Sequence, residues 1–238
     1  MTIACIGHGY VGLVTASVFA DLGNTVWVVG RTKEKIGRLK KGIATFYEPG
    51  LSELVKRNVH AGRLNFTLDY KEAVVGSQII FIAVGTPPKT NGEADLTDVF
   101  TAAREIGIHL NGYKVVAVKS TVPPGTNKKV QQIIEEAKPA GASFSIASCP
   151  EFLRQGQAIS DTLHPNRVVI GTTSDRAEKL LRDLHKPIET KFVFCNPETA
   201  ELIKYAANSL LSVKISFANA MAILSEKVGA DVKKSSKE

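Results

Sequence analysis

A short apolar run, Ile3-Ala4-Cys5-Ile6, leads straight into Gly7-His8-Gly9-Tyr10-Val11-Gly12. The run reads as a strand and residues 13–22 as a helix, so the glycines stand at a strand-to-helix turn. Each has its own reason there. Gly7 permits the tight turn, Gly9 lets the backbone approach a pyrophosphate, and Gly12 lets helix and strand pack closely. The helix N-terminus turns free N–H groups and the positive end of its dipole toward the phosphates, and Tyr10 and Val11 of the turn are expected among the cofactor contacts. The turn therefore reads as a dinucleotide site; a glycine-rich turn that binds nothing is the plainer alternative.

Strands and helices alternate along the rest of the chain. Residues 25–29, 79–84, 115–118, 143–148, 168–170 and 192–194 read as strands, and 33–41, 51–59, 95–110, 127–138 and 176–184 as helices. The strands are continuous apolar runs, which implies burial on both faces and a doubly wound, mostly parallel α/β sheet of the Rossmann type. From Glu198 to Val228 there is neither proline nor glycine. Such a stretch forms one helix of roughly 45 Å, longer than an ordinary globular helix. It suits a connecting or dimerising element, followed by a polar tail at 233–238. The expected division is a dinucleotide-binding domain over 1–196, then the long helix and tail over 197–238.

Composition narrows the function classes. The 238 residues allow one large core with an appendage, and 44% apolar with 22% charged content fits a soluble globular protein. No apolar run reads as a membrane span and no signal peptide is visible, so a cytoplasmic protein without membrane contact is expected. Cys5, Cys149 and Cys195 are far apart and form no ligand pattern, which fits a reducing compartment and no metal. The formal charge of +7 is spread along helices, so a solvated surface is expected rather than nucleic-acid binding.

The loops after the strands carry the chemistry, because open α/β sheets bind ligands outside the carboxyl ends of their strands. Four are unusual: Val84-Gly85-Thr86-Pro87, Ser120-Thr121-Val122-Pro123-Pro124-Gly125-Thr126, Cys149-Pro150-Glu151-Phe152-Leu153-Arg154, and Lys204-Tyr205-Ala206-Ala207-Asn208 in the long helix. Thr121 offers a neutral hydroxyl and Glu151 a carboxylate after a proline-fixed turn. Lys204 and Asn208 stand four apart on one helix face, where an ammonium and an amide suit a developing oxyanion. Taken singly, each has a bland explanation as turn chemistry, a cap or a surface charge.

Taken with Tyr47-Glu48-Pro49-Gly50-Leu51, the glycine turn and Glu201-Leu202-Ile203-Lys204, these segments strongly resemble the UDP-glucose/GDP-mannose dehydrogenase family, in order, from residue 2 to about Val232. The resemblance implies oxidation of the C6 alcohol of a nucleotide sugar to a carboxylate, in two hydride transfers to a nicotinamide cofactor. In that family a cysteine holds the aldehyde stage as a thiohemiacetal, which becomes a thioester and is hydrolysed. The resemblance further implies that Glu151 serves acid–base chemistry and hydrolysis, that Thr121 positions reacting groups through a water, and that Lys204 and Asn208 stabilise the oxyanion. Phe152 and Leu153 would line the sugar-nucleotide path. Val84, Gly85, Thr86, Pro87 and Ser120 would edge the nicotinamide pocket, with Gln155 a further cofactor contact. A homodimer through the 198–228 helix is implied as well.

The departures shape the expectations. The family's Gly-Gly-Ser-Cys segment and its second, nucleotide-sugar-binding domain have no counterpart in these residues, so the chain alone is expected to be inactive. Cys149 replaces a usual Asn, Gln155 a usual Glu and Asn166 a usual Asp. A thiol two residues from Glu151 is a substitute nucleophile in one reading and an adventitious small residue in the other. At the end of the second strand Gly30 stands where NAD-binding units carry an acid for the ribose hydroxyls, and Arg31, Thr32 and Lys35 follow. Removing the acid and adding Arg31 favours NADP over NAD; the alternative is that Arg31 is a surface charge and NAD binds through its pyrophosphate. Two function classes stand open: the cofactor half of a nucleotide-sugar dehydrogenase, or a non-catalytic dinucleotide-binding and dimerising module.

Overall fold

The computed structural model describes residues 1–231; the polar tail expected at 233–238 lies outside the described residues. The elements run β1 (Thr2–Ile6), α1 (Tyr10–Asp21), β2 (Thr25–Val29), α2 (Lys33–Lys40), α3 (Leu51–His60), β3 (Leu64–Thr67), α4 (Tyr70–Val75), β4 (Ile79–Ile82) and α5 (Thr97–His109). They continue with β5 (Tyr113–Val118), α6 (Thr126–Ala137), β6 (Ser143–Ser148), α7 (Ala158–Leu163), β7 (Arg167–Gly171), α8 (Asp175–His185), β8 (Lys191–Cys195) and α9 (Pro197–Val228). The strands form one sheet in the order β3-β2-β1-β4-β5-β6-β7-β8. The order reverses between β1 and β4, which opens a crevice at the carboxyl ends of those two strands.

Alternate residues of the central strands feed two separate cores. Ile3, Cys5, Val28, Phe81 and Val115 pack on one face, and Ala4, Ile6, Ile80, Ile82 and Val116 on the other. Helices cover both faces, which is why these strands read as unbroken apolar runs rather than as alternation. The starts of α4, α8 and α9 carry side-chain caps. Asp69 accepts from Lys71 N at 2.8 Å at the head of α4, Ser174 from Ala177 N at 3.3 Å at α8, and Asn196 from Thr199 N at 2.8 Å at α9.

The sheet is parallel except at one junction. β7 meets β6 antiparallel through the single pair Ser148↔Gly171, and β8 then follows β7 in parallel. The two outer strands thereby flank the segment beyond Ser148, which holds Glu151. Three short elements, β3, α4 and α7, were not among the expected ones. They have only 4, 6 and 6 residues, too few for a periodic pattern to declare itself.

Pro197 and the Asn196 cap start α9, and Gly229, at φ 72°, ends it. Its first turns pack on β6 and β7, with Ala200, Glu201 and Lys204 buried, whereas Leu210, Leu211, Val213, Ile215, Phe217 and Ile223 are exposed. The expectation that no segment is long and apolar enough to span a membrane needs correction. By length and by a mean hydropathy of 1.3, α9 meets that test, and none of its apolar window is buried.

Candidate active site

Sterics at the first turn explain the glycines. A Cβ at Gly7 would stand 2.3 Å from the Ala83 carbonyl oxygen, and Gly7 itself has φ 118°; a Cβ at Gly12 would stand 2.2 Å from the Gly7 carbonyl oxygen. At Gly9 nothing lies within 4 Å. Gly7 and Gly12 thus let β1, α1 and β4 close up, while Gly9 leaves the approach open. No side chain caps α1 and no acid stands in its first turn, so the leading N–H groups of Tyr10, Val11 and Gly12 remain for an anion.

A cavity of about 710 Å³ opens in front of this turn, walled by Gly7, His8, Gly9, Gly30, Arg31, Lys35, Val84 and Gly85. His8, Arg31 and Lys35 put cationic or proton-binding groups on one side; Asp98 and Glu105 lie in the same wall. Burial holds the His8 imidazole below its ordinary range, and Lys35 and Arg31 add to the effect. Arg31 Nη1 pairs with Asp98 Oδ1 at 2.6 Å, with its own side chain 78% exposed. The structure also supplies a packing reason for Gly30. A Cβ there would meet Ile36 Cδ1 at 2.6 Å and His8 Nδ1 at 2.8 Å.

A second cavity, about 400 Å³, gathers the residues expected to carry the chemistry: Glu151, Phe152, Leu153, Lys204 and Asn208. The loop after β6 brings Glu151 to α9, where Lys204 Nζ and Glu151 Oε1 are 3.1 Å apart, with side chains only 7% and 11% exposed. The other Glu151 oxygen accepts from Leu153 N at 2.6 Å. Lys204 Nζ lies 5.2 Å from the Phe152 ring centroid and Arg167 Cζ 4.4 Å from it, so that ring is flanked by two cations. Asn208, one turn on, is exposed at the cavity rim.

Other expected residues lie elsewhere. Thr121 lines neither of these cavities; its carbonyl accepts from Thr86 Oγ1 at 2.9 Å. Ser120 is buried and donates to the Val84 carbonyl at 2.7 Å, stitching the β4 and β5 loops together. Pro87 accepts from Asp95 N at 2.8 Å through its carbonyl. Thr32 is the exposed residue before α2, and Gln155 is exposed. Neither lines a cavity described above. The Tyr10 hydroxyl turns away to Glu48. Cys149 lines the second cavity but is buried, and burial pushes its thiol up to about 12, which argues against a resting nucleophile.

Two buried carboxylates and a half-buried lysine beside the second cavity had been given no role. Glu201 accepts from Gly125 N at 2.6 Å, Asn127 N at 2.8 Å and Asn127 Nδ2 at 2.7 Å. It places a carboxylate at the head of α6 and fixes α9 one turn before Lys204. Its spacing of three from Lys204, on the same helix face, was the available signal. Lys119 forms part of the second cavity's wall, and its Nζ reaches the Cys149 carbonyl at 3.4 Å. Burial holds that ammonium below the usual lysine range, opposed by Cys149 and Glu151. Glu48 is the third.

With this geometry, comparison with known proteins is informative. The family model "UDP-glucose/GDP-mannose dehydrogenase family, NAD binding domain" matches residues 1–189, and the central-domain model of the same family matches residues 198–237. The chain belongs to the UDP-glucose/GDP-mannose dehydrogenase family. Among members of that family it is similar to UDP-glucose 6-dehydrogenase TuaD of Bacillus subtilis, 52% identical over 98% of this chain and 50% of the relative. It is also similar to the UDP-glucose 6-dehydrogenase of Rhizobium meliloti, 49% identical over 98% of this chain and 54% of the relative. The chain spans about half the length of these curated relatives. Its fold superposes on GDP-mannose dehydrogenase from Pseudomonas aeruginosa with a TM-score of 0.94 at 37% identity, covering 98% of this chain and 55% of that one. A UDP-glucose dehydrogenase from Pyrobaculum islandicum gives 0.94 at 42% identity, with 98% and 55% covered.

Proposed function

We propose that this chain is the cofactor-binding half of a nucleotide-sugar 6-dehydrogenase, which oxidises the C6 alcohol of UDP-glucose or a similar nucleotide sugar to a carboxylate with two hydride transfers to NAD(P). The observation that carries the reading is the buried Glu151–Lys204 pair, with Asn208 one turn on, in a cavity at the strand ends. Residues 1–196 are the dinucleotide unit and α9 the connecting helix.

The dinucleotide suits the first cavity because Gly9 leaves open space before an uncapped helix N-terminus. Bound there, the nicotinamide supplies the hydride acceptor. Part of the remaining work falls to residues of this chain. Glu151 takes the proton leaving the alcohol, and Lys204 and Asn208 donate to the oxygen on which charge develops. Thr121 acts at one remove, through a water. Phe152 and Leu153 shape the path of the sugar nucleotide.

Two finer readings go with this one. NADP is favoured over NAD, because Gly30 offers no acceptor to a ribose hydroxyl while Arg31, Lys35 and His8 share one cavity wall. The Arg31–Asp98 pair does not hold Arg31 back, since an ion pair this exposed is worth about 0–1 kcal/mol. The second is a homodimer through α9, whose bare apolar side chains call for a partner face. The pairing reading is preferred to a membrane one because the helix begins inside the α/β unit and lies in the central-domain match. Calorimetric titration of this chain with NADP, NAD and UDP-glucose tests the proposal. Binding of a dinucleotide is expected, and failure of both to bind overturns it.

A further inference from the structure

Between the two cavities lies a buried carboxylate that the proposed chemistry does not use. Glu48 is 4% exposed, in the turn before α3. Its Oε2 accepts from the Tyr10 hydroxyl at 2.6 Å and from Gly156 N at 2.9 Å, and its Oε1 accepts from Ala158 N at 2.8 Å. The Tyr10 hydroxyl also stands 3.5 Å from the Arg154 carbonyl. Burial would raise the Glu48 carboxyl, yet the bonds from Tyr10, Gly156 and Ala158 outweigh it and hold the group below the usual carboxylate range.

These bonds join two pieces of backbone with different duties. Tyr10 is the first residue of α1, at the helix start that faces the first cavity. The segment from Cys149 to Gln157 has no helix or strand, and carries Glu151, Phe152 and Leu153 in the wall of the second. Its far end is tied by Arg154, which meets Asp161 through its backbone N at 2.8 Å and its guanidinium at 2.6 Å and 3.1 Å. Glu48 and Arg154–Asp161 therefore hold the 154–158 end of the loop, while Lys204, Lys119 and Arg167 hold the end with Glu151 and Phe152. The Glu48 tie leads back to the dinucleotide turn, beside the longer contact from the Tyr10 hydroxyl to the Arg154 carbonyl.

We propose that Glu48 is a positioning residue that couples the dinucleotide turn to the Glu151 loop through the Tyr10 hydroxyl. The inference rests on the dinucleotide reading above. A pyrophosphate on the head of α1 fixes Tyr10, the fixed hydroxyl fixes Glu48, and Glu48 fixes Gly156 and Ala158. By linkage, whatever loosens that chain of bonds weakens the response of each end to the other.

The test is hydrogen exchange of the 150–161 segment, with and without saturating NADP or NAD, in the unmutated chain, Tyr10→Phe and Glu48→Gln, beside calorimetry for binding. In the unmutated chain dinucleotide slows exchange across 150–161. Glu48→Gln accelerates exchange at Gly156 and Ala158 without ligand, on the order of tenfold to a hundredfold for loss of a charged acceptor. Tyr10→Phe keeps the Glu48 bonds to the loop but loses the dinucleotide-dependent protection, an effect that a purely structural role for Glu48 does not produce. Persistence of that protection in Tyr10→Phe, or its absence in the unmutated chain despite measured binding, overturns the coupling alone. Failure of either dinucleotide to bind overturns the dinucleotide reading and the coupling with it.

Discussion

Arg31 decides the cofactor question, and its neighbours decide how to ask it. Exchanging Gly30 for an acid is a poor test, because any Cβ there collides with Ile36 and His8. Arg31→Ala is clean, since the side chain is exposed and its one ion pair is weak. We expect NADP to bind more tightly than NAD, and Arg31→Ala to cut NADP affinity roughly tenfold, a charged hydrogen bond discounted for exposure. NAD affinity changes little, and the NADP advantage shrinks with salt. Equal binding of both cofactors to the unmutated chain in calorimetry would return Arg31 to the role of a surface charge. A second residue gives a pH signature. Burial pushes the His185 imidazole down from 6.5 to about 4, and Lys119 adds to it. Between those values the unfolded chain takes up a proton that the folded chain refuses. Stability is therefore complete above 6.5 and falls toward pH 4, by on the order of 3 kcal/mol. Denaturant midpoints across pH 7 to 4.5 should show the decline, and His185→Gln should flatten it. At this scale the sequence pointed to Glu151, Lys204 and Asn208 because their segments resemble a known pattern, and the structure lines one cavity with all three. The sequence did not disclose what Glu48, Lys119 and Glu201 do, because a carboxylate bonded to backbone N–H groups more than 70 residues away leaves no local trace.

Among the elements, α9 carries the strongest prediction. Phe217 and Ile215 are 64% and 53% exposed on a helix that leaves the body after its first turns. Pairing with a second copy would bury them. We expect a dimer in light scattering, and a monomer when Phe217→Glu and Ile215→Lys are combined, with helix content unchanged because both positions face solvent in the single chain. A monodisperse monomer of the unmutated protein would remove the dimer reading. The long helices and central strands were legible because their apolar residues repeat over many positions: β2 and β6 fall at the expected residues, Thr25–Val29 and Ser143–Ser148. β3 and α7 were not legible, since a four-residue strand at the sheet edge and a six-residue helix owe their shape to what they touch.

For the molecule as a whole, the glycine turn and the Glu151–Lys204 pair stand in one chain, and the thiol in the cavity of that pair is not an available nucleophile. The thiol there, Cys149, is buried and its titration lies far above neutrality. This chain should therefore bind dinucleotide yet show no sustained reduction of it with UDP-glucose; continuous absorbance at steady state checks this, and turnover would refute it. The doubly wound architecture was legible from the apolar runs, but the reversal at β7 was not, because strand direction depends on the path of the connecting loop rather than on composition. That reversal has a mechanical consequence. Six strands are laced by continuous parallel ladders, while the outer two join them through a single ladder pair, with α9 packed across both β6 and β7. The first cavity is cut into the six-stranded part, whereas the second takes its Arg167, Val168 and Val169 wall from the outer pair. A shift at that one junction would therefore reshape the second cavity and leave the first untouched.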